Sequence, residues 1–218
     1  MTVQLEVWGP YALFTRPEMK VERVSYDVMT PSAARGILEA VFWHPGMVWR
    51  IDRIVVMNPI RFTSVRRNEV SSVISADTVR SMINDPSKDS AIYASSDIQQ
   101  RASTILRDVH YVIEAHFDMN SKAAAGDSPA KFISMFNRRA QNGQYYHHPY
   151  FGTREFPVDF RLWDVDKGQP KGFENGRRDL GYMLYDMDYR DPADPQPMFF
   201  RAELINGVLD ATDPRVSS

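Results

Sequence analysis

Apolar and polar positions alternate through Val3, Leu5 and Val7, with Gln4 and Glu6 between them. This predicts a strand with one buried face that ends at Gly9-Pro10. A second extended piece is expected around 21–28. It leads into a helix start, with Thr30 suited to the N-cap and Pro31 to the first helical position, where a missing N–H costs nothing. Ala33, Ala34, Ile37, Leu38 and Val41 then recur at helical spacing, and the helix should stop before His44-Pro45-Gly46. Residues 50–62 read as a long strand with Pro59 near an edge or bulge. Residues 63–107 are polar, carry a turn cluster from Asn84 to Ser87, and read as an insertion with short elements. Alternation returns from Asp108 to Met119, with Val109, Tyr111, Ile113, Ala115 and Phe117 on one face and His110, Glu114 and His116 on the other. Ser128 should cap a second helix over 129–142, with Phe132, Met135 and Phe136 as its buried stripe and Gly143 as its stop. Phe156, Val158, Phe160 and Leu162 alternate as a further strand.

The order strand, helix, strand, strand, helix, strand predicts an α+β fold of the ferredoxin-like kind over residues 1–165, an antiparallel sheet with its helices on one face. RNA-recognition modules share that topology, as do many unrelated proteins, so it assigns no function. Residues 166–218 carry two more strand-like runs, Tyr182 to Tyr189 and Met198 to Leu209, separated by Asp191-Pro192-Ala193-Asp194-Pro195. They read as a small β-rich C-terminal domain with a loose tail from Asp210.

The length of 218 residues supports one sizeable core with a small appendage. No stretch approaches the ~20 apolar residues of a membrane helix, and the first residues lack the basic start and apolar run of a secretory signal. A cytoplasmic location without membrane contact is therefore expected. With no cysteine, disulfides, thiolate nucleophiles and cysteine-based zinc sites are excluded. The 26 basic and 28 acidic residues give a net charge of −2, which is not the strongly basic balance of many nucleic-acid binders. The distribution is more informative: Arg61, Arg66 and Arg67 cluster, as do Lys131, Arg138 and Arg139, then Arg177 and Arg178, while acidic residues crowd 179–194.

Motifs for nucleotide binding, zinc hydrolysis and serine hydrolysis are missing, and the five histidines have no metal-ligand spacing. No cofactor is expected. Acid–base cleavage of RNA fits better. It needs a base for the ribose 2′-OH, an acid for the leaving 5′-oxygen and a cation or donor for the phosphate, and histidine suits the first two roles. His116, on a strand face, is one candidate; a strand histidine satisfied at the surface is the plainer reading. A second cluster runs from Phe136 to Phe156. Arg138 and Arg139 close a helix and lead into a glycine-bounded loop bearing Tyr145, Tyr146, His147, His148 and Tyr150, followed by Arg154. Such arginines can hold phosphate, and such aromatics can stack on unpaired bases.

Three segments, Trp8 to Thr15, Tyr26 to Pro45 and Arg107 to Phe117, resemble the CRISPR-associated Cas-five family of RAMP proteins, in its subtype I-C or d variant. Arg138-Arg139, Gly143-Gln144, Pro149-Tyr150, Gly152 and Arg154-Glu155-Phe156 continue the resemblance, which spans nearly the whole chain in order. The resemblance implies a ferredoxin-like domain with a small C-terminal β domain. It implies a metal-independent endoribonuclease that cuts precursor CRISPR RNA at the repeat hairpin by 2′-OH attack. The product would stay bound, with backbone and large subunits of a type I surveillance complex as partners.

The family's catalytic tyrosine, lysine and histidine fall here on Phe42, Ala115 and His116, so two of the three positions depart from the pattern. Phe42 can stack but cannot carry a proton, and Ala115 cannot neutralise phosphate. Tyr26, Tyr145 and His147 are candidate substitutes for proton transfer. Arg35, Phe42, Arg138, Arg139, Tyr146, His148 and Arg154 are candidate RNA contacts. The main rival is a non-catalytic scaffold that holds the 5′ handle of the RNA, and a third reading adds duplex DNA binding through the same basic surface.

Overall fold

The computed structural model describes residues 2–19, 21–85, 87, 91 and 93–212. Its elements are β1 (Val3–Ala12), α1 (Pro31–Val41), β2 (Met47–Val56), β3 (Phe62–Val70), α2 (Ala76–Asn84), β4 (Ile98–Met119), α3 (Pro129–Gln141), β5 (Asp159–Leu162), β6 (Arg177–Asp188), β7 (Gln196–Ile205) and β8 (Val208–Asp210). All named strand pairs are antiparallel, in the order β5-β1-β4-β2-β8-β7-β6, with β3 paired to the first half of β4.

Local chemistry sets both long helices. The Thr30 side chain accepts from the Ala33 N–H and Pro31 opens α1, while Ser128 caps α3 by accepting from the Lys131 N–H. Gly143 takes φ +61° just beyond α3, the left-handed geometry that a helix stop requires. The apolar stripes of both helices join one core with one face of the sheet. Ile37, Leu38, Val41, Phe132 and Phe136 pack with Leu5, Val7, Ile113, Ala115 and Trp49. The Trp49 ring lies 5.1 Å from Phe136 and 5.4 Å from Phe117, and its indole N–H donates to the Phe42 carbonyl.

The opposite face is polar but partly covered. The chain from 163 to 174 crosses it on the way from β5 to β6: the Trp163 N–H donates to the Gln4 carbonyl and the Phe173 N–H to that of Val56. Under this crossing Glu6 and Glu114 are buried. Arg161 grips Glu6 with two bonds of 2.5 and 2.9 Å, and His110 adds a contact of 2.9 Å. Glu114 is held by Arg53 at 2.6 Å and Gln4 at 2.8 Å. The hydrogen bonds from Arg161 keep the Glu6 carboxyl below its ordinary value against the opposing effect of burial, with His110 adding to the shift. A depressed folded value means that Glu6 stabilises the fold above the ordinary glutamate range near ~4.3 and loses that contribution as pH falls through the folded value. The urea midpoint should decline over that acid window. Glu6→Gln should flatten this part of the profile, and an unchanged profile would assign the acid sensitivity to another group.

Several elements differ from the sequence expectations. β1 runs through Gly9-Pro10 to Ala12, because β5 pairs only with Leu5–Trp8 and leaves Pro10 a neighbour on one side alone. The 21–28 piece makes only single bridges, Thr15 with Ser25 and Val24 with Thr104. The strand expected over 50–62 begins at Met47 and ends at Val56, with Pro59 in the connection. The supposed insertion is an arm. β3 pairs residue by residue with Ile98–Leu106, so β4 is one strand of 22 residues with a bend at Asp108, φ +53°. Pro86 of the expected turn cluster lies outside the described residues. The run from Met198 to Leu209 breaks at Asn206-Gly207, both at positive φ, a two-residue hairpin turn. The tail is fixed further than expected: Ala211 is buried and its N–H donates to the Asp52 carbonyl, and residues 213–218 lie outside the described residues. β8 pairs with β2, which joins the C-terminal hairpin to the main sheet. No helix among the described residues is long and apolar enough to cross a membrane.

Candidate nucleic-acid interface

His116 lies on β4 directly opposite Arg50 of β2, on the sheet face away from the helices. The neighbouring Asp52 reaches it through an irregularity. The pairing between β2 and β4 shifts register between Ile51 and Arg53, a bulge that leaves Asp52 without a partner and turns its side chain toward the histidine. Asp52 Oδ1 is 2.7 Å from His116 Nδ1, while Nε2 is 3.9 Å from the nearer oxygen of Asp118. Arg50 in turn bonds Asp118 at 3.0 Å. A carboxylate on Nδ1 fixes the imidazole's orientation and tautomer and leaves Nε2 for exchange with a ligand. The His116 side chain is 41% exposed.

The aromatic loop is built on the other side of the sheet, where α1 and α3 meet. The Tyr146 N–H donates to the Ala40 carbonyl at the end of α1, and Arg139 Nη1 donates to the Val41 carbonyl. The first bond ties the loop to α1 and the second ties α3 to the end of α1, while the Gln144 N–H, donating to the Arg139 carbonyl, ties the loop to α3. Tyr145 packs beside His148, rings 4.8 Å apart, whereas Tyr146 is 89% exposed with its ring open to solvent. The His148 imidazole is engaged with the Pro149 carbonyl, and His147 stands between Tyr146 and Tyr150. Arg138, Arg139, Gly143, Gln144 and Tyr145 line an open hollow of about 490 Å³. The loop closes where Gly152, φ +80°, packs against the Leu13 carbonyl; a Cβ there would meet that oxygen at 2.0 Å. Arg154 follows, exposed. Among the described residues neither Arg138 nor Arg154 forms an ion pair, whereas Arg61, Arg67, Arg177 and Arg178 are each bound to a carboxylate of the chain.

The remaining candidates are interior or engaged. Tyr26 is 1% exposed, its hydroxyl accepts from the Leu184 N–H, and burial raises its pKa. Phe42 is in the core against Phe132, and Ala115 is fully buried on the helical face of the sheet. Arg35 holds Asp186 with two bonds of 3.0 and 2.7 Å and Glu39 at 2.8 Å. The structure thus brings Tyr145, Tyr146, His147, His148, Arg138 and Arg139 together, and sets His116 on the opposite face of the sheet. Asp52 escaped the sequence reading because a bulge is visible only in the pairing of two strands.

The chain matches the family model described as CRISPR-associated protein (Cas_Cas5), in its Cas5d form, over residues 2–212. It is 51% identical to the CRISPR pre-crRNA endoribonuclease Cas5d of Mannheimia succiniciproducens, over 95% of this chain and 93% of that one. It is 39% identical to the protein of the same name from Thermus thermophilus, over 95% of this chain and 90% of that one. Among solved structures, a crystal structure of a CRISPR-associated protein superposes with a TM-score of 0.71 at 23% identity, covering 100% of this chain and 97% of that one. A chain of a CRISPR RNA-guided surveillance complex gives a TM-score of 0.56 at 12% identity, over 99% and 92% of the two chains. Identity at this level across nearly the full length, together with the family match, means that the chain belongs to the CRISPR-associated Cas5 family, in its subtype I-C or d variant.

Proposed function

We propose that this protein is an endoribonuclease that cuts precursor CRISPR RNA at the repeat hairpin and stays with the product as a subunit of a type I surveillance complex. The observation that carries the catalytic reading is the Asp52–His116 pair, an oriented imidazole with one nitrogen open on a sheet face. In this reading His116 moves the proton of the ribose 2′-OH or of the leaving 5′-oxygen, Asp52 is its positioning residue, and Arg50 is the nearest cation in register. The attack needs no metal: the 2′-oxygen forms the new bond to phosphorus as the 5′-oxygen leaves, giving a 2′,3′-cyclic phosphate. Relatives named as pre-crRNA endoribonucleases support the same activity. The helical side of the sheet, with Tyr146, Arg138 and Arg139, would hold the flanking RNA, and duplex DNA could use the same cations.

The order β5-β1-β4-β2, with α1 and α3 on one face, supports the ferredoxin-like reading, and residues 166–212 serve as its C-terminal β unit. Membership of a complex is supported by the arm: Val70, Val73, Ile74, Val79 and Ile83 are exposed there, and α2 has no buried residue. Exposed apolar side chains of this kind suit a protein partner. The protein would act in the cytoplasm, with the transcripts.

A scaffold that binds the 5′ handle without cutting is the second reading, favoured by the burial of Phe42 and Ala115 where the family pattern has a tyrosine and a lysine. Pure protein incubated with its own repeat RNA and a chelator separates the two. The enzyme yields a 5′ fragment ending in a 2′,3′-cyclic phosphate, whereas the scaffold shifts the RNA on a native gel and leaves it intact.

A further inference from the structure

A cleft of about 450 Å³ lies between α1, the 147–152 loop, Phe14-Thr15 and Leu184 of β6. Its volume falls within the range of small-ligand sites, about 300–1,000 Å³. Ser32, Gly36 and Glu39 of α1 face it, at the spacing of one helix side opposite the buried stripe of Ile37, Leu38 and Val41. Two rings of the loop, His147 and Tyr150, line the same cleft with centroids 6.1 Å apart. Gly36 is in the middle of the helix, where glycine costs about 1 kcal/mol relative to alanine. A Cβ there would meet nothing within 4 Å, so the fold itself has no use for the missing side chain.

The polar group that defines the cleft is Glu39. Arg35 holds its Oε1 at 2.8 Å and is itself anchored to Asp186, which fixes the carboxylate; among the described residues Oε2 has no partner. A carboxylate repels phosphate, so the part of an RNA that enters must be neutral and bring N–H donors. Of the four bases, guanine alone presents two N–H groups side by side, N1–H and the N2 amine, in the spacing of two carboxylate oxygens. Adenine and cytosine pair each amine with an acceptor nitrogen, and uracil flanks its single N–H with two carbonyls.

The geometry points to a base-specific subsite: one unpaired guanine of the RNA enters this cleft, stacks on His147 or Tyr150 and gives its donor edge to Glu39. This deepens the RNA-binding reading above and rests on it. Full-length protein and fluorescent eleven-nucleotide oligouridines with one central guanosine, adenosine, cytidine or inosine provide the test, with the all-uridine strand as reference. The guanosine strand should bind about tenfold or more tightly than the reference, as one stacked and bonded base allows. Inosine, which lacks the N2 amine, should lose most of that gain. Gly36→Ala should raise the melting temperature by about 2–4 °C. Gly36→Leu should keep the fold and the reference affinity while abolishing the guanosine preference, and Glu39→Gln should abolish it too. A guanosine preference that survives in folded Gly36→Leu overturns the cleft assignment. Wild type that binds repeat RNA without preferring guanosine overturns the subsite alone. Wild type that binds neither RNA overturns the reading beneath it as well.

Discussion

Replacing His116 by alanine should lower the rate of repeat cleavage by about 10²–10⁴, the usual worth of a positioned proton-transfer group, with RNA affinity nearly unchanged. The imidazole is one side chain on the sheet face away from the aromatic loop, so its removal leaves the stacking and cationic surface intact. Asp52→Asn should also slow cleavage without weakening binding, because an amide bonded to Nδ1 no longer selects the same tautomer. A 2′-deoxy nucleotide at the scissile position removes the nucleophile and should abolish cutting while binding persists. Quench-flow rates measured beside native-gel affinities read all three. Cleavage of the deoxy substrate would end the mechanism. Full activity in the His116 variant would end only the assignment of that residue, and would turn attention to His147, which is exposed on the loop.

Simultaneous replacement of Arg138, Arg139 and Arg154 by alanine should flatten the salt dependence of RNA binding by about two units of log K against log salt, if each guanidinium holds one phosphate of a single strand. Over a fourfold rise in salt, those three contacts then account for a loss of roughly 16-fold. Arg177, Arg178 and Arg201 make the control, since each is already held by Glu203, Glu174 or Asp179. Their replacement should leave the slope where it was. Equal slopes for the two triple variants in filter-binding titrations would show that phosphate is bound on some other surface.

The parts of this molecule legible in its sequence are those fixed by chemistry within a few residues. Thr30-Pro31 and Ser128-Pro129 write helix starts, Gly143 writes a stop, and the alternation after Asp108 gives the two faces of β4. The arm was not legible, because both faces of β3 meet solvent or partial cover and no apolar alternation marks it. Burial was equally hidden. Nothing around Tyr26 distinguishes a phenol bonded to the Leu184 N–H from one facing an RNA. The aromatic loop is legible as one cluster because it is contiguous. That His116 lies across the sheet from it follows from strand order, which only distant pairings determine. Glu39 is not legible as a site residue, since its cleft takes walls from four separate stretches of chain.

The bulge at Asp52 has a consequence for how this strand can change. A strand assigns its residues to the two faces by parity, and an extra residue reverses that assignment for everything beyond it. Trp49 and Ile51 face the core on one side of the irregularity, and Ile54 and Val56 do so on the other, only because the count is offset by one at Asp52. Deleting Asp52 would leave Ile51, Arg53 and Ile54 opposite Ala115, Glu114 and Ile113 in regular pairing, with every core residue of β2 still facing inward, and would remove the carboxylate that holds His116. Loss of this one residue is cheap for the fold and costly for the histidine pair, whereas a one-residue insertion elsewhere in β2 would need a second bulge to keep the core faces inward. The arm tolerates a change of length in another way: β3 and its partner segment can each lose two residues near the tip, next to Val70 and Ile98, without altering the parity of any buried position. Length variation among proteins of this shape should therefore collect in the arm and avoid β2 outside the bulge.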